Sequence, residues 1–295
     1  MPPATSPTAA GLPRWLRRWP WLVAVGLVIV AGIAAVPAIR QYIIVRHIES
    51  LGGIVETSPG RLTADLPDKW REWAEPEFGP GLFRFIEPVT TVDFSYRVDW
   101  VDSSILPIRN DDLRTFRGLN HLQTLILNRL TVTDDALKHL SGMATLEALY
   151  LEKTAVTGDG LAHLKEMPSL IVLDLSRTDV TDDSLAYLKG LPHLQKLVLA
   201  RTKVTGAGLL HLQGMTSLRS LGCYGIPLTD ESLIYLKNLT GLTWLDLQGT
   251  EVTDAGLVHL TGLTELRNLF VRDTQVTDAG IKRLQAALPD CEIRK

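Results

Sequence analysis

The sequence predicts an α/β solenoid. A right-handed horseshoe carries a parallel sheet on its concave side and helices on its convex side, and one N-terminal transmembrane helix precedes it. Three observations lead there. Leucine recurs at Leu122, Leu146, Leu170, Leu194, Leu218, Leu242 and Leu266, a gapless period of 24 residues in seven copies. Each copy reads close to L-x-x-L-x-L-x-x-T-x-V-T-D-x-G-L-x-H-L-x-x-L, an alternating apolar stretch followed by a helix start. Before the repeats, residues 19–39 form an uncharged run, close to the roughly 20 residues that cross a hydrocarbon core. Units of this length cannot bury their apolar faces alone, so they stack, each on its neighbours.

Composition excludes little beyond nucleic-acid binding. Charged residues make up 21% of the chain and the net charge is −3, without the basic balance that a nucleic-acid protein carries. Two cysteines are present, Cys223 and Cys291. Three strand steps would separate them by about 14 Å, against a Cα limit of about 7 Å for a disulfide, so both are expected as buried small hydrophobes.

In chain order, residues 1–18 are Pro-, Ala- and Thr-rich and end on Arg14, Arg17 and Arg18, a disordered basic segment. Residues 19–39 are the expected membrane span, with Trp15, Trp19 and Trp21 as an interfacial belt. Only Arg40 and Arg46 follow closely, so the positive-inside rule places the N-terminus in the cytoplasm and the repeats outside it. A cleavable signal peptide ending near Val36-Pro37-Ala38 is the competing reading. The length of the run and Pro37 favour an uncleaved anchor. Residues 40–53 read as a juxtamembrane helix stopped by Gly52-Gly53, a stalk or a dimer seam.

Residues 54–88 are expected to cap the array. They hold a short strand and polar turn, an amphipathic helix with Trp70 and Trp73, and then Leu82, Phe83, Phe85 and Ile86. Such apolar density suits the exposed end of a solenoid. Residues 89–121 form an irregular first repeat, with Val89, Val92 and Phe94 on its strand and Leu113, Phe116 and Leu119 on its helix. Val89 to Leu122 is 33 residues, nine more than the period, and the excess falls within residues 95–109 around Tyr96, Trp100 and Ile105. Two readings stand for it. Insertions in repeat arrays often form the binding loop, or Trp100 folds back as part of the cap. The seven regular repeats cover 122–288, and residues 289–295 read as a closing strand.

Within a repeat, positions 1, 4 and 6 face inward. Position 12 is threonine in all seven copies, from Thr133 to Thr277, and aspartate usually follows. This is read as an N-cap with a dipole-favoured acid. Position 15 stays small (Gly160, Ser184, Gly208, Gly256, Gly280), as a close helix–helix approach would require. Leucines at 16 and 19 turn the helix onto the strand.

This pattern resembles the leucine-rich repeat, over residues 89–293. The T-D-x-G-L-x-H-L form looks like repeats of bacterial membrane-anchored proteins, and is also similar to those of F-box substrate adaptors, although no F-box motif is present. The resemblance implies a binding scaffold. It also implies that position 9, usually asparagine in such repeats, is a turn ladder. Here it holds Thr154, Thr178, Thr202, Thr250 and Thr274, with Leu130 and Ile226 breaking the column.

Two columns tempt a metal reading. His139, His163, His211 and His259 share position 18. Stacked helices lie roughly 8–10 Å apart, too far for ligands that must converge about 2 Å from one zinc ion. The aspartate column is interrupted by Gly158 and Gly206, and calcium needs six to eight oxygens around one ion. No nucleophile elbow, P-loop or H-E-x-x-H motif occurs. The expectation is no enzyme, no cofactor and no metal.

What the repeat does not dictate points to recognition. Positions 3, 5, 7 and 8 face the concave surface. Position 8 runs Arg129, Lys153, Arg177, Arg201, a basic rail, and then changes to Gly225, Gly249 and Asp273. Tyr150 and Asp174 lie beside the rail, and Tyr224, Trp244 and Phe270 surround Asp246 in the C-terminal half. Trp, Tyr and Arg dominate interface hot spots. These residues, with Trp100, are the candidate partner-binding set, for a protein or a surface polymer and not for nucleic acid. The alternatives are a self-assembling tethered scaffold and a regulatory adaptor with cytoplasmic repeats.

Overall fold

The structure, a computed structural model, describes residues 40–57, 89–94 and 108–295. The basic segment 1–18, the expected span 19–39, residues 58–88 of the expected cap, and the insert around Trp100 lie outside the described residues. Among the described residues, no helix is long and apolar enough to cross a membrane.

Ten strands form one sheet in chain order. They are β1 (Ile54–Thr57), β2 (Val89–Asp93), β3 (Thr124–Ile126), β4 (Ala148–Tyr150), β5 (Val172–Asp174), β6 (Lys196–Val198), β7 (Ser220–Gly222), β8 (Trp244–Asp246), β9 (Asn268–Phe270) and β10 (Glu292–Arg294). From β2 onward every pairing is parallel, and β1 pairs with β2 antiparallel. The register repeats the sequence period. Leu125 sits opposite Leu149, and the series runs through Leu173, Leu197, Leu221, Leu245 and Leu269 to Ile293. Val92 sits opposite Leu125. The 33-residue spacing of the first repeat therefore leaves the β2–β3 pairing in the same register as the others.

The inward leucines of positions 1, 4 and 6 are buried in coil after coil and form one continuous core. At position 9, the hydroxyls of Thr154, Thr178, Thr202, Thr250 and Thr274 each donate to the carbonyl three residues earlier, at 2.6–2.8 Å. The threonine ladder thus closes each coil on itself. Leu130 and Ile226 keep only the backbone version of this turn, from their own amides at 3.3 and 3.4 Å.

The convex side is helical but tighter than expected. Asp134–Leu140, Gly158–Leu161 and Asp278–Ala287 are α-helical, whereas Asp183–Gly190, Gly206–Leu212, Asp230–Leu236 and Gly256–Leu260 are 3₁₀ helices. Seven residues span about 14 Å as a 3₁₀ helix and about 10.5 Å as an α-helix, so the tighter form stretches a short segment along the coil. It also puts residues three apart on one face. That suits the leucine pairs Leu185 and Leu188, Leu209 and Leu212, Leu233 and Leu236, and Leu257 and Leu260, all of them buried.

The threonine and aspartate columns are not mainly helix caps, which corrects the sequence reading. Asp134 accepts from both the amide and the hydroxyl of Thr157 in the next coil, at 2.7 and 2.6 Å. The same two-point clasp joins Asp182 to Thr205, Asp230 to Thr253 and Asp254 to Thr277. At the head of the array Asn110 makes a variant of it, accepting from the Thr133 amide and donating its own amide N–H to the Thr133 hydroxyl. Helix capping by the threonine hydroxyl of Thr205, to Ala207, and of Thr277, to Gly280, is retained beside the clasp.

The clasp explains the small residue at position 15. A Cβ on Gly160, Gly208, Gly256 or Gly280 would strike the clasping aspartate of the preceding coil. Where that aspartate is replaced by Gly158 or Gly206, the next coil carries Ser184 or Ser232. The serine Cβ then lies where a Cβ on the glycine would sit, within 2.7 Å. Ser184 instead accepts from the Thr181 amide at 2.9 Å. Each joint between the seven regular coils is therefore either aspartate against glycine or glycine against serine.

Residues 40–50 are helical. Ile44, Val45 and Ile48 of this helix are buried in the same core as Phe94 and Phe116, and Gly53 lies so close that a Cβ there would meet both Ile48 and Phe94. A free-standing stalk has no such buried face, so this helix covers the end of the array. At the far end, β10 presents charged Glu292 and Arg294 on the last edge, which discourages further strand pairing.

The joint rule is open to a swap. Gly208→Ser places a side chain against Asp182 and should cost about 1–3 kcal/mol in urea unfolding. Asp182→Gly in the same chain recreates the glycine–serine joint and should restore at least half of that loss. Additive single-mutant costs would refute the coupling.

Candidate functional site

Positions 3 and 5 of each strand point away from the leucine core, so the coil does not require leucine there. On β8 and β9 they carry Trp244 and Phe270, both half-buried. Their ring centroids are 5.3 Å apart at an interplanar angle of 49°, a tilted pair of the kind that aromatic quadrupoles favour. The Arg294 guanidinium lies over the Phe270 ring at 5.3 Å and is held there by Glu292, at 2.8 and 3.0 Å.

The other C-terminal candidates separate. Tyr224 turns toward the N-terminal half, where its hydroxyl accepts from Arg201 at 2.9 Å and its ring packs under the same guanidinium at 4.9 Å. Asp246 sits beside Phe270 in register. Its Oδ1 accepts from the Gln248 amide at 2.9 Å, bracing its own strand exit. Asp174 does the same with the amide and hydroxyl of Ser176. Tyr150 is half-buried on β4, next to Asp174 in register. Trp100 lies outside the described residues.

The rail has a backbone property that the sequence did not show. Arg129, Lys153, Arg177 and Arg201 all adopt φ between 55° and 62°, as does Asp273, and Gly225 and Gly249 hold φ of 67° and 64°. Position 8 is thus the left-handed residue at which the chain leaves the sheet. Its amide still donates across to the next coil, as from Lys153 to Ser176 at 2.8 Å and from Gly249 to Arg272 at 2.9 Å. Glycine takes this conformation without strain, whereas another residue costs roughly 1–2 kcal/mol. The change from cations to Gly225 and Gly249 is therefore a return to the residue the backbone favours, as well as a change of surface. The four cationic side chains are exposed. Arg177 faces Glu152 at 3.7 Å and Arg201 stacks on Tyr224, while Lys153 has no side-chain ion pair or hydrogen bond among the described residues.

The titratable groups elsewhere are accounted for by packing. Burial pushes Cys223 far above the usual thiol range, aided by the Asp246 charge, and raises Cys291 to about 11. Both thiols are free. Burial holds His139 below the ordinary 6.5, with Arg114 adding to the effect and Asp111 opposing it. Among the described residues, no group of three or more metal-ligating side chains converges.

Coils of 24 residues in parallel register, each a strand, a threonine turn and a helical return, make this a leucine-rich-repeat solenoid. No family model and no curated protein matches the chain. Among solved structures it is similar to an internalin C2 from Listeria monocytogenes, with 24% identity over 63% of this chain and 83% of that one, at a TM-score of 0.49. It is also similar to the plant peptide hormone receptor RGFR1, solved in complex with RGF2, with 16% identity over 56% of this chain and 26% of the receptor, at a TM-score of 0.39. Both scores are below 0.5, so the fold assignment stands on the register and turns of the chain itself.

The left-handed position is tested by exchange. Gly249→Ala should lower the unfolding free energy by about 1 kcal/mol, because a Cβ there meets only ordinary contacts at 3.6 Å and the strain is the conformation's own. Lys153→Gly should leave stability unchanged or raise it, by no more than about 1 kcal/mol. A clear loss on removing the lysine would assign it a structural role.

Proposed function

We propose that this chain is a membrane-tethered recognition module that holds its repeats outside the cytoplasm and binds a protein through the concave face. The observation that supports it most is the Trp244–Phe270 pair. Large aromatic side chains stand together on the sheet face, at positions where the coil requires only an inward leucine between them. Paired, rigid aromatics supply contact area at low entropic cost, as at interface hot spots. The recurring residues are occupied in strand core, turn ladder and clasp, which leaves recognition to the columns that vary. Tethering is supported by the apolar run 19–39 and its arginine-rich flank.

Cross-linking in intact cells with the full chain as bait is the direct test of recognition. Trp244→Ala combined with Phe270→Ala should abolish capture of the cross-linked partner without unfolding the array. Retention of every partner by the double variant would defeat the concave-face reading. Topology is tested with Lys295→Cys. An impermeant maleimide should label it in intact cells, since Cys223 and Cys291 are buried. Labelling only after permeabilisation would place the repeats in the cytoplasm.

A further inference from the structure

We infer that the rail formed by Arg129, Lys153, Arg177 and Arg201 is a docking track for an acidic stretch of an extended peptide, whose apolar continuation seats on Trp244 and Phe270. This rests on the protein-recognition reading above and adds the chemistry of the partner.

The first ground is the left-handed backbone. Four consecutive coils place a cation at φ between 55° and 62°, while two of the next three use glycine at the same site. The fold does not need these side chains, and the backbone disfavours them. The second ground is mutual repulsion. Adjacent coils stand about 4.8 Å apart, so like charges on neighbouring rungs destabilise one another. Lys153, in the middle of the row, has no side-chain ion pair or hydrogen bond among the described residues. Glu152 serves Arg177. Asp174 is turned to its own strand exit, and the nearby Lys203 takes Asp179 at 2.7 Å. Crowded, exposed cations in a row, kept at a position where the backbone favours glycine, are what an incoming series of carboxylates would neutralise.

The occupant is a peptide and not a continuous polyanion. Past the rail, the face carries Asp246 and no cation until Arg272 and Arg294. A uniformly charged polymer would meet repulsion there. The aromatic pair also offers no open platform for a sugar ring or a base, because its rings are tilted at 49° and Phe270 is covered by Arg294. An apolar side chain packs against such a tilted pair without needing a flat face. Arg201, fixed over Tyr224, marks the boundary between the acidic and the apolar portion.

The test is fluorescence anisotropy on the full chain with three labelled probes. One is a ten-residue peptide of four glutamates followed by glycine, phenylalanine and leucine residues. The second has the same composition in alternating order, and the third is polygalacturonate. The first should bind most tightly, and its affinity should fall steeply with salt. Lys153→Gly with Arg177→Gly keeps the residue type found at Gly225 and Gly249, so it preserves the fold, and it should weaken that binding by about tenfold. Removing two convex cations by Lys189→Ala with Lys237→Ala should change it little. Equal binding by the glycine variant, or polygalacturonate binding as tightly as the first peptide, would overturn the inference, as would no binding of any probe. The cellular partner separates the two levels. If the rail variant keeps the cross-linked partner while the Trp244 and Phe270 variant loses it, the rail inference fails and concave recognition stands. If both variants keep it, recognition by this face fails as well.

Discussion

Strands in neighbouring coils want to stand about 4.8 Å apart, and packed helices about 8–10 Å. Every coil must satisfy both distances with the same 24 residues, and most of the structure follows from that constraint. The narrow 3₁₀ returns bring the convex segments closer together than full α-helices would allow. The glycines at position 15 remove the Cβ atoms that would keep them apart. The aspartate clasp then fixes the gap, tying the amide and hydroxyl of one threonine to the coil before it. With both sides pinned, the leucines of positions 1, 4 and 6 close into one core. The sheet face is left chemically free enough to carry something else.

Much of this was legible because periodicity survives translation into structure without loss. A 24-residue period became a 24-residue register, the nine-residue excess ahead of Leu122 became the offset of Val92 against Leu125, and the terminal Ile293 fell on the same row as Leu269. What was misread shared one cause: a column of identical residues does not say whether its partner lies within the repeat or in the next one. Thr181 and Asp182 suggest a local cap, and the bonds that form join Asp182 to Thr205, in the coil after. The signal was present, since Gly158 precedes Ser184 and Gly206 precedes Ser232, but it is visible only when adjacent copies are read against each other. Likewise, leucines three apart fit a helix of three residues per turn better than one of 3.6. The helix at 40–50 was expected as a stalk or a dimer seam, because nothing in its own sequence names the surface that its apolar stripe covers. Its Ile44, Val45 and Ile48 stripe belongs to Phe94 and Phe116.

For the candidate site, the residue types were legible and their environments were not. Nothing in the string Arg129, Lys153, Arg177, Arg201 reveals a left-handed backbone, because glycine appears in that column only later. Nor does it reveal that Tyr224 belongs with Arg201 and not with Trp244. Side-chain direction after a strand exit depends on the turn, and the turn is set by the pairing of a coil with its neighbour. The proposed site has a cationic half and an aromatic half joined at Arg201, on a scaffold whose own polar groups are largely occupied.

The two kinds of joint also give the array a grammar. The coils starting at Leu146 and Leu194 enter with glycine at position 15 and leave with glycine at position 13. Those starting at Leu170 and Leu218 enter with serine and leave with aspartate. In this stretch the matched unit is therefore a pair of coils, 48 residues long by the register. Excising one coil would set aspartate against serine or glycine against glycine, a clash or a gap. Excising a pair would leave every remaining joint complementary. The last coils, which enter with glycine and leave with aspartate, fit after one another and can be added or removed singly. The array is thus free to change length at its C-terminal end in steps of one coil and in its middle only in steps of two. The rail and the aromatic pair lie on opposite sides of that division.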